Sequence, residues 1–180
     1  MTRINLDPTR VPAASTALLE QIHGAFGATP NMFKAVANSP AALASMWSAF
    51  GALGKGTIPA ALGEKIAVAV ADRNGCEYCL AAHTLLGTKA GVTPADMAAA
   101  QGGHAADART QAVLDFALKL VEQRGQVGDA DVAALRLQGF GDGEIVEILA
   151  HVALNLFTNY VNVAFDVPVD FPKVQLRRAA

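Results

Sequence analysis

Glu64-Lys65-Ile66-Ala67-Val68-Ala69-Val70-Ala71-Asp72-Arg73-Asn74-Gly75-Cys76-Glu77-Tyr78-Cys79-Leu80-Ala81-Ala82-His83 holds both cysteines of the chain, and its reading decides fold and chemistry together. The cysteines are spaced C-x-x-C, His83 follows the second by four residues, and Glu64 precedes the first by twelve. Two sulfurs three residues apart can close a disulfide with little backbone movement, so the spacing suits a reversible dithiol/disulfide couple. Gly75 ends one helix, and the next is expected to begin close to Cys76, with both sulfurs in its first turn. Free N–H groups and the positive end of the helix dipole stabilise thiolate there. Cys76, Cys79 and His83 fall at i, i+3 and i+7 and share one helix face, from which His83 can reach Cys79 or whatever that sulfur attacks.

Glu64 has two readings. If its helix packs antiparallel on the cysteine helix, a carboxylate some three turns before the break lies near the interior of the next helix. In apolar surroundings its pKa rises, and it can shuttle protons near neutrality. Otherwise Glu64, with Lys65 beside it, is an exposed first-turn carboxylate favoured by the dipole.

Outward from this stretch, helix signals dominate. Pro followed by Ala recurs as a start device at Pro12, Pro40, Pro59 and Pro94, with Ser39 and Thr93 as caps. Glycine-rich breaks separate helices expected near 13–26, 31–37, 40–53, 59–73, 76–90, 94–101, 106–124, 129–138 and 142–165. No stretch alternates cleanly enough for a strand, so the expected fold class is all-α. A chain of 180 residues fits one domain, spanning 1–180. Its first dozen residues and its last ten read as arms, either frayed or wrapped around another subunit.

Lys plus Arg is 14 and Asp plus Glu is 16, for a formal net charge of −2, and the only basic pair is Arg177-Arg178. Nucleic acid and membrane are therefore not expected partners. The run Ile145 to Phe165 is apolar but carries Glu147, His151, Asn155, Asn159 and Asn162, which argues against a membrane span. With 52% hydrophobic and only 17% charged residues, some surface is expected to be buried between subunits of a homo-oligomer. The N-terminus has no signal-peptide pattern, and the expected location is cytoplasmic. In a reducing compartment a lone C-x-x-C is more often catalytic or metal-binding than a structural staple.

His151, Asn155, Thr158 and Asn162, at i, i+4, i+7 and i+11, form one polar stripe on an apolar helix. It serves either helix and subunit hydrogen bonding or an active-site wall. His23 and His104 are expected at the surface, and Trp47, with Met46 and Phe50, in core or interface. Asp72 and Arg73 are expected to be solvated or capping.

The pattern E-x11-C-x-x-C-x3-H, with Tyr78 inside the C-x-x-C and a later helix carrying Ala153-Leu154-Asn155 and Thr158-Asn159-Tyr160-Val161-Asn162, resembles the AhpD-like alkylhydroperoxidases, peroxidase-related branch, of the carboxymuconolactone decarboxylase superfamily. The resemblance spans roughly residues 15 to 170. It implies a compact, oligomeric helical bundle in which Cys79 is the peroxidatic sulfur, Cys76 the resolving one, and Glu64 and His83 form a proton relay. Tyr78, His151 and Asn155 are candidates for a supporting layer. The implied reaction reduces a small hydroperoxide, and an external dithiol, lipoyl-type or thioredoxin-like, restores the pair without a cofactor. One departure matters: Tyr78 stands where the best-known members carry histidine, and with a reference pKa near 10 it supplies no imidazole relay. The superfamily's decarboxylases lack the cysteine pair, so that activity fits poorly.

Two alternatives share these residues. The same dithiol can serve a general disulfide reductase or a redox sensor. Cys76, Cys79, His83 and Glu64 can also supply four zinc ligands, although structural zinc usually pins separated loops and three of these four belong to one helix. The expectation is no metal.

Overall fold

The computed structural model describes residues 2–177; Arg178, half of the basic tail pair, lies outside them. After a 3-10 turn at Pro8–Arg10 come α1 (Ala13–Phe26), α2 (Asn31–Val36), α3 (Pro40–Leu53), α4 (Ala60–Arg73), α5 (Glu77–Lys89), α6 (Pro94–Gln101), α7 (Ala108–Glu122), α8 (Asp129–Leu137) and α9 (Asp142–Phe165). The described residues contain no strand, as the sequence pattern predicts.

Local chemistry sets the starts. Pro40 and Pro94 occupy the first positions of α3 and α6, behind Ser39 and Thr93, whose hydroxyls accept from the amides of Ala42 (3.3 Å) and Asp96 (3.1 Å). Pro12 and Pro59 stand one place earlier, at the capping positions of α1 and α4, so α4 begins at Ala60 and not at Pro59. Asp107 caps α7 by accepting from Thr110 N (2.8 Å), which starts that helix later than its apolar pattern suggests.

The middle of the bundle is α4, whose residues Ile66 to Asp72 are all buried. A helix apolar on every side belongs inside a core. On one flank Val68, Ala69 and Ala71 pack with Leu19, Phe33 and Leu43 from α1, α2 and α3. On the other, Ile66 and Val70 pack with Val113, Leu135 and Ile148 from α7, α8 and α9. Trp47 joins the first flank, its ring 5.8 Å from Phe33 and 6.3 Å from Phe26, while His23 and His104 are exposed as expected.

By length and composition alone α9 could cross a membrane. One face, however, is sunk in the bundle, where Asn155, Thr158, Asn159 and Asn162 are buried. The opposite face exposes Val146, Leu149, Ala153, Phe157, Tyr160 and Val163.

The described residues of both arms lie along the body of their own chain. Arg3 N donates to Phe165 O (2.9 Å), Asn38 Nδ2 to Asn5 O (2.8 Å), and Ile4 and Leu6 cover core residues. After α9 the chain runs back across α2 and α5. Asn31 N donates to Asp170 Oδ2 (2.7 Å), Phe171 meets the Tyr78 ring edge-on at 5.4 Å, and Val174 and Leu176 pack on the core.

Asp72 corrects the sequence reading. Instead of being solvated it is buried, and one carboxylate oxygen accepts from Gln101 Nε2 (2.7 Å) and from Arg177 N (2.9 Å), fastening the tail to α4. Its neighbour Arg73 pairs with Glu122. Removing a buried acceptor strands its donors at a cost of about 1–3 kcal/mol. Asp72→Ala is therefore expected to lower unfolding stability by about that amount and to open the tail to trypsin at Lys173. An unchanged urea midpoint with an intact tail would contradict the assignment.

Candidate active site

The turn between α4 and α5 assembles the site. Gly75 takes φ +66°, a left-handed conformation that costs glycine little, and Cys76 N donates to Ala71 O (2.9 Å). The chain thus reverses directly into α5, and the two helices run antiparallel. Cys76 is the N-cap of α5, its sulfur accepting from Cys79 N (3.2 Å). Both thiols are unbridged and nearly enclosed, 1% and 2% exposed.

Antiparallel packing brings Glu64 of α4 against His83 of α5, with Oε2 to Nδ1 at 2.7 Å. The first reading of Glu64, a carboxylate turned toward the cysteine helix, is the one the geometry matches. From the far side α9 contributes Asn162, whose Nδ2 donates to Cys79 Sγ (3.1 Å). Asn159, beside it, is held by Asn74, whose Nδ2 donates to Asn159 Oδ1 (2.9 Å).

The electrostatics separate the two sulfurs. Burial pushes the Cys79 thiol up and is the largest single influence on it. The hydrogen bond from Cys76, the charge of His83 and the amides of Asn162 and Asn159 together outweigh burial and bring Cys79 down to about 7. Cys76 is held well above the ordinary thiol range, first by its hydrogen bond to Cys79, then by burial and repulsion from its partner. The pair thus shares one negative charge, placed on Cys79 with Cys76 retaining its proton. Burial opposes the charged form of His83, but the Glu64 carboxylate and then the Cys79 thiolate overcome it and raise its pKa.

Tyr78 is not part of this relay. Its hydroxyl accepts from Met32 N (3.2 Å), its ring lies against Phe171, and burial pushes its ionisation far up. It pins the start of α5 to α2 and the tail.

Two clefts flank the Glu64–His83 pair and share Phe50, His83 and Thr158 in their walls. One, about 440 Å³, reaches Cys79 and is walled by Phe26, Met32, Phe33, Leu86 and Phe171. The other, about 660 Å³, is lined by Glu64, His151 and Asn155. The polar stripe of α9 therefore divides: Asn162 touches the sulfur, while His151 and Asn155 border the second cleft. The aromatic wall was invisible in the sequence, because its residues come from α1, α2, α3 and the tail. Among the described residues no three of His, Cys, Asp and Glu come together as a metal site.

The family model of the carboxymuconolactone decarboxylase family matches residues 40–123, which include Glu64, both cysteines and His83. Among solved structures, the chain is similar to a peroxidase-related protein from Silicibacter sp. TM1040, with 27% identity, 93% of this chain and 91% of that one covered, and a TM-score of 0.80. It is also similar to a peroxidase-related protein with an alkylhydroperoxidase AhpD core from Ralstonia eutropha JMP134, with 24% identity, 94% and 92% covered, and a TM-score of 0.84. The debrominase Bmp8 shares the fold at 20% identity, with 88% and 87% covered and a TM-score of 0.75. The chain shares the fold of these AhpD-like and peroxidase-related proteins, and its residues 40–123 resemble the carboxymuconolactone decarboxylase family. No protein with a curated description matches it significantly.

The coupling of Glu64, His83 and Cys79 gives a signed expectation. Thiolate is the reactive form, so Cys79 alkylation should fall as pH drops through about 7. In Glu64→Gln, His83 loses the carboxylate that keeps it charged and Cys79 loses a cationic neighbour, so the midpoint should move upward by roughly one pH unit. Site-resolved mass spectrometry of iodoacetamide-treated protein measures it, and an unmoved midpoint would uncouple Glu64 from the sulfur.

Proposed function

We propose that this protein is a thiol-dependent peroxidase that reduces hydroperoxides through a Cys79/Cys76 dithiol-disulfide cycle. The observation carrying this reading is the Cys79 sulfur, held by Asn162 at the end of an apolar cleft whose wall includes His83, itself paired to Glu64. The thiol proton passes to the His83–Glu64 pair. The Cys79 thiolate attacks a peroxide oxygen, the O–O bond breaks, and the leaving oxygen takes the proton from His83, giving an alcohol or water and a sulfenic acid on Cys79. Cys76 then condenses with the sulfenic acid, forming the disulfide and releasing water. An external dithiol, lipoyl-type or thioredoxin-like, reduces the disulfide. A cycle that ends on two free thiols belongs in a reducing compartment, and the proposed location is the cytoplasm.

A second reading keeps the dithiol and changes the oxidant. A C82A form of the debrominase Bmp8 binds 2,3,4-tribromopyrrole, and the aromatic cleft beside Cys79 has walls suited to a flat ring. There the dithiol would become a disulfide as a carbon–bromine bond becomes carbon–hydrogen and bromide leaves, with one proton released.

One experiment decides between these readings and the general disulfide reductase. Cys76→Ser should consume about one equivalent of an organic hydroperoxide and trap a sulfenic acid on Cys79, whereas the wild type loses two hydrogens by mass as the disulfide forms. Trapping on Cys76 in Cys79→Ser, with none in Cys76→Ser, would reverse the roles. Inertness of both sulfurs toward peroxide would remove the peroxidase.

The assembly belongs to the same proposal. Val146, Leu149, Ala153, Phe157 and Tyr160 repeat at three- and four-residue steps along the outer face of α9, and Tyr160 is 60% exposed. Such a stripe is the pattern by which a helix packs on a second helix, so the reading includes a homo-oligomer joined along α9. Sedimentation should show an assembly larger than one chain that Leu149→Glu disrupts, and a monomeric wild type would refute it.

A further inference from the structure

The second cleft has no part in the peroxide chemistry above, yet it borders the same ion pair. Its floor is Gly63 and Glu64 of α4, and its far wall is His151 and Asn155 of α9. His151 Nε2 and Asn155 Oδ1 are buried with no hydrogen-bond partner among the described protein atoms. The Asn155 amide is not free to turn, because its Nδ2 donates to His151 O (2.9 Å). Buried polar atoms are almost always satisfied, by protein or by water, and two orphans on one cleft point to water between them. The cleft is large enough to hold water beside both atoms.

The position of the imidazole is specific. A Cβ added at Gly63 would lie 3.3 Å from His151 Cε1 and 3.5 Å from Nδ1, so the ring rests against the α4 backbone one residue before Glu64. The charged groups acting on it are Glu147 one turn earlier on α9, Glu64 from α4 and His83 from α5. Burial, the largest influence, keeps the ring neutral against the pull of the two carboxylates. Glu147 is itself occupied, accepting from Thr57 N (2.9 Å), Thr57 Oγ1 (2.7 Å) and Ile58 N (2.8 Å). His151 is thus the group poised to trade a proton with Glu64.

We propose that His151 is the solvent-side proton carrier of the site, exchanging protons with Glu64 through water in the second cleft. The inference rests on the dithiol reading of Cys76 and Cys79. Its value lies in the reductive half-reaction, when a donor fills the apolar cleft and shuts that route to water. A dithiol that breaks the Cys76–Cys79 bond forms its own disulfide and gives up two protons. One is needed on Cys76 and one on His83, beside which Cys79 departs as thiolate. Protons lost to solvent from the donor return to His83 through His151 and Glu64, and the balance closes.

The experiment uses dithiothreitol on protein oxidised with diamide, so no peroxide is needed. Glutamine keeps a polar side chain but cannot gain or lose a proton near neutral pH, and His151→Gln should slow disulfide reduction roughly tenfold, within the lower reach of acid–base effects. Added imidazole should restore the rate in proportion to its concentration and leave the wild type unaffected. Gly63→Ala keeps His151 but presses a methyl onto its ring, and should give a smaller slowing with the same response to imidazole. If His151→Gln fails to fold by circular dichroism, Gly63→Ala decides alone. A rate within about twofold of wild type, or a slowing that imidazole does not relieve, overturns the inference and leaves His151 a packing residue. A wild type that forms no disulfide overturns the dithiol reading, and this inference falls with it.

Discussion

At Gly75 the backbone turns with φ +66° and lets α5 begin at once after α4, and the rest of the site follows from that reversal. Because the loop is so short, the two helices must lie antiparallel in close contact, and their registers are locked. Rise per residue then does the placing: Glu64 and His83 sit at comparable heights above the turn and meet at 2.7 Å. A side chain at Gly75 would strain the turn, and a longer loop would release the register. The same turn makes Cys76 the N-cap, so one sulfur is spent on a backbone amide while the other, one turn further on, faces histidine and asparagine.

That asymmetry is a problem of one charge shared by two buried thiols. A helix start by itself favours thiolate at the capping sulfur. Here the full charge of His83 and the amide of Asn162 act on Cys79, and side-chain partners at contact distance outweigh the partial charges of a helix end. Once Cys79 carries the charge, repulsion keeps the proton on Cys76. A protonated thiol next to a reactive thiolate is the arrangement from which a sulfenic acid can be resolved.

The long helix α9 serves three masters with one sequence. Its apolar residues Ile148 and Val152 fill the core around α4, its asparagines reach the sulfur, and its outer stripe remains uncovered. Polar groups inside cost stability unless bonded. Asn155 and Asn162 each make one bond and leave their side-chain oxygen without a partner among the described residues, around the cysteines and the adjoining cleft. A core selected for packing alone would not hold them there.

Helix positions, the all-α class and the four residues of the cysteine stretch were legible in the sequence, because proline starts, glycine breaks and helical spacing act over a few residues. Spacing also put Cys76, Cys79 and His83 on one face. What it could not decide was which of the two readings of Glu64 applied, since that depends on how one helix lies against another. Asp72 looked solvated because its partner Arg177 is 105 residues away, and the tail that fastens there brings Phe171 onto Tyr78. The aromatic cleft and the contact of Asn162 with Cys79 likewise join elements that are distant in the chain. The sequence carries local periodicity and motif chemistry; only the tertiary fold, by setting long-range contact, decided which sulfur bears the charge and what surrounds it.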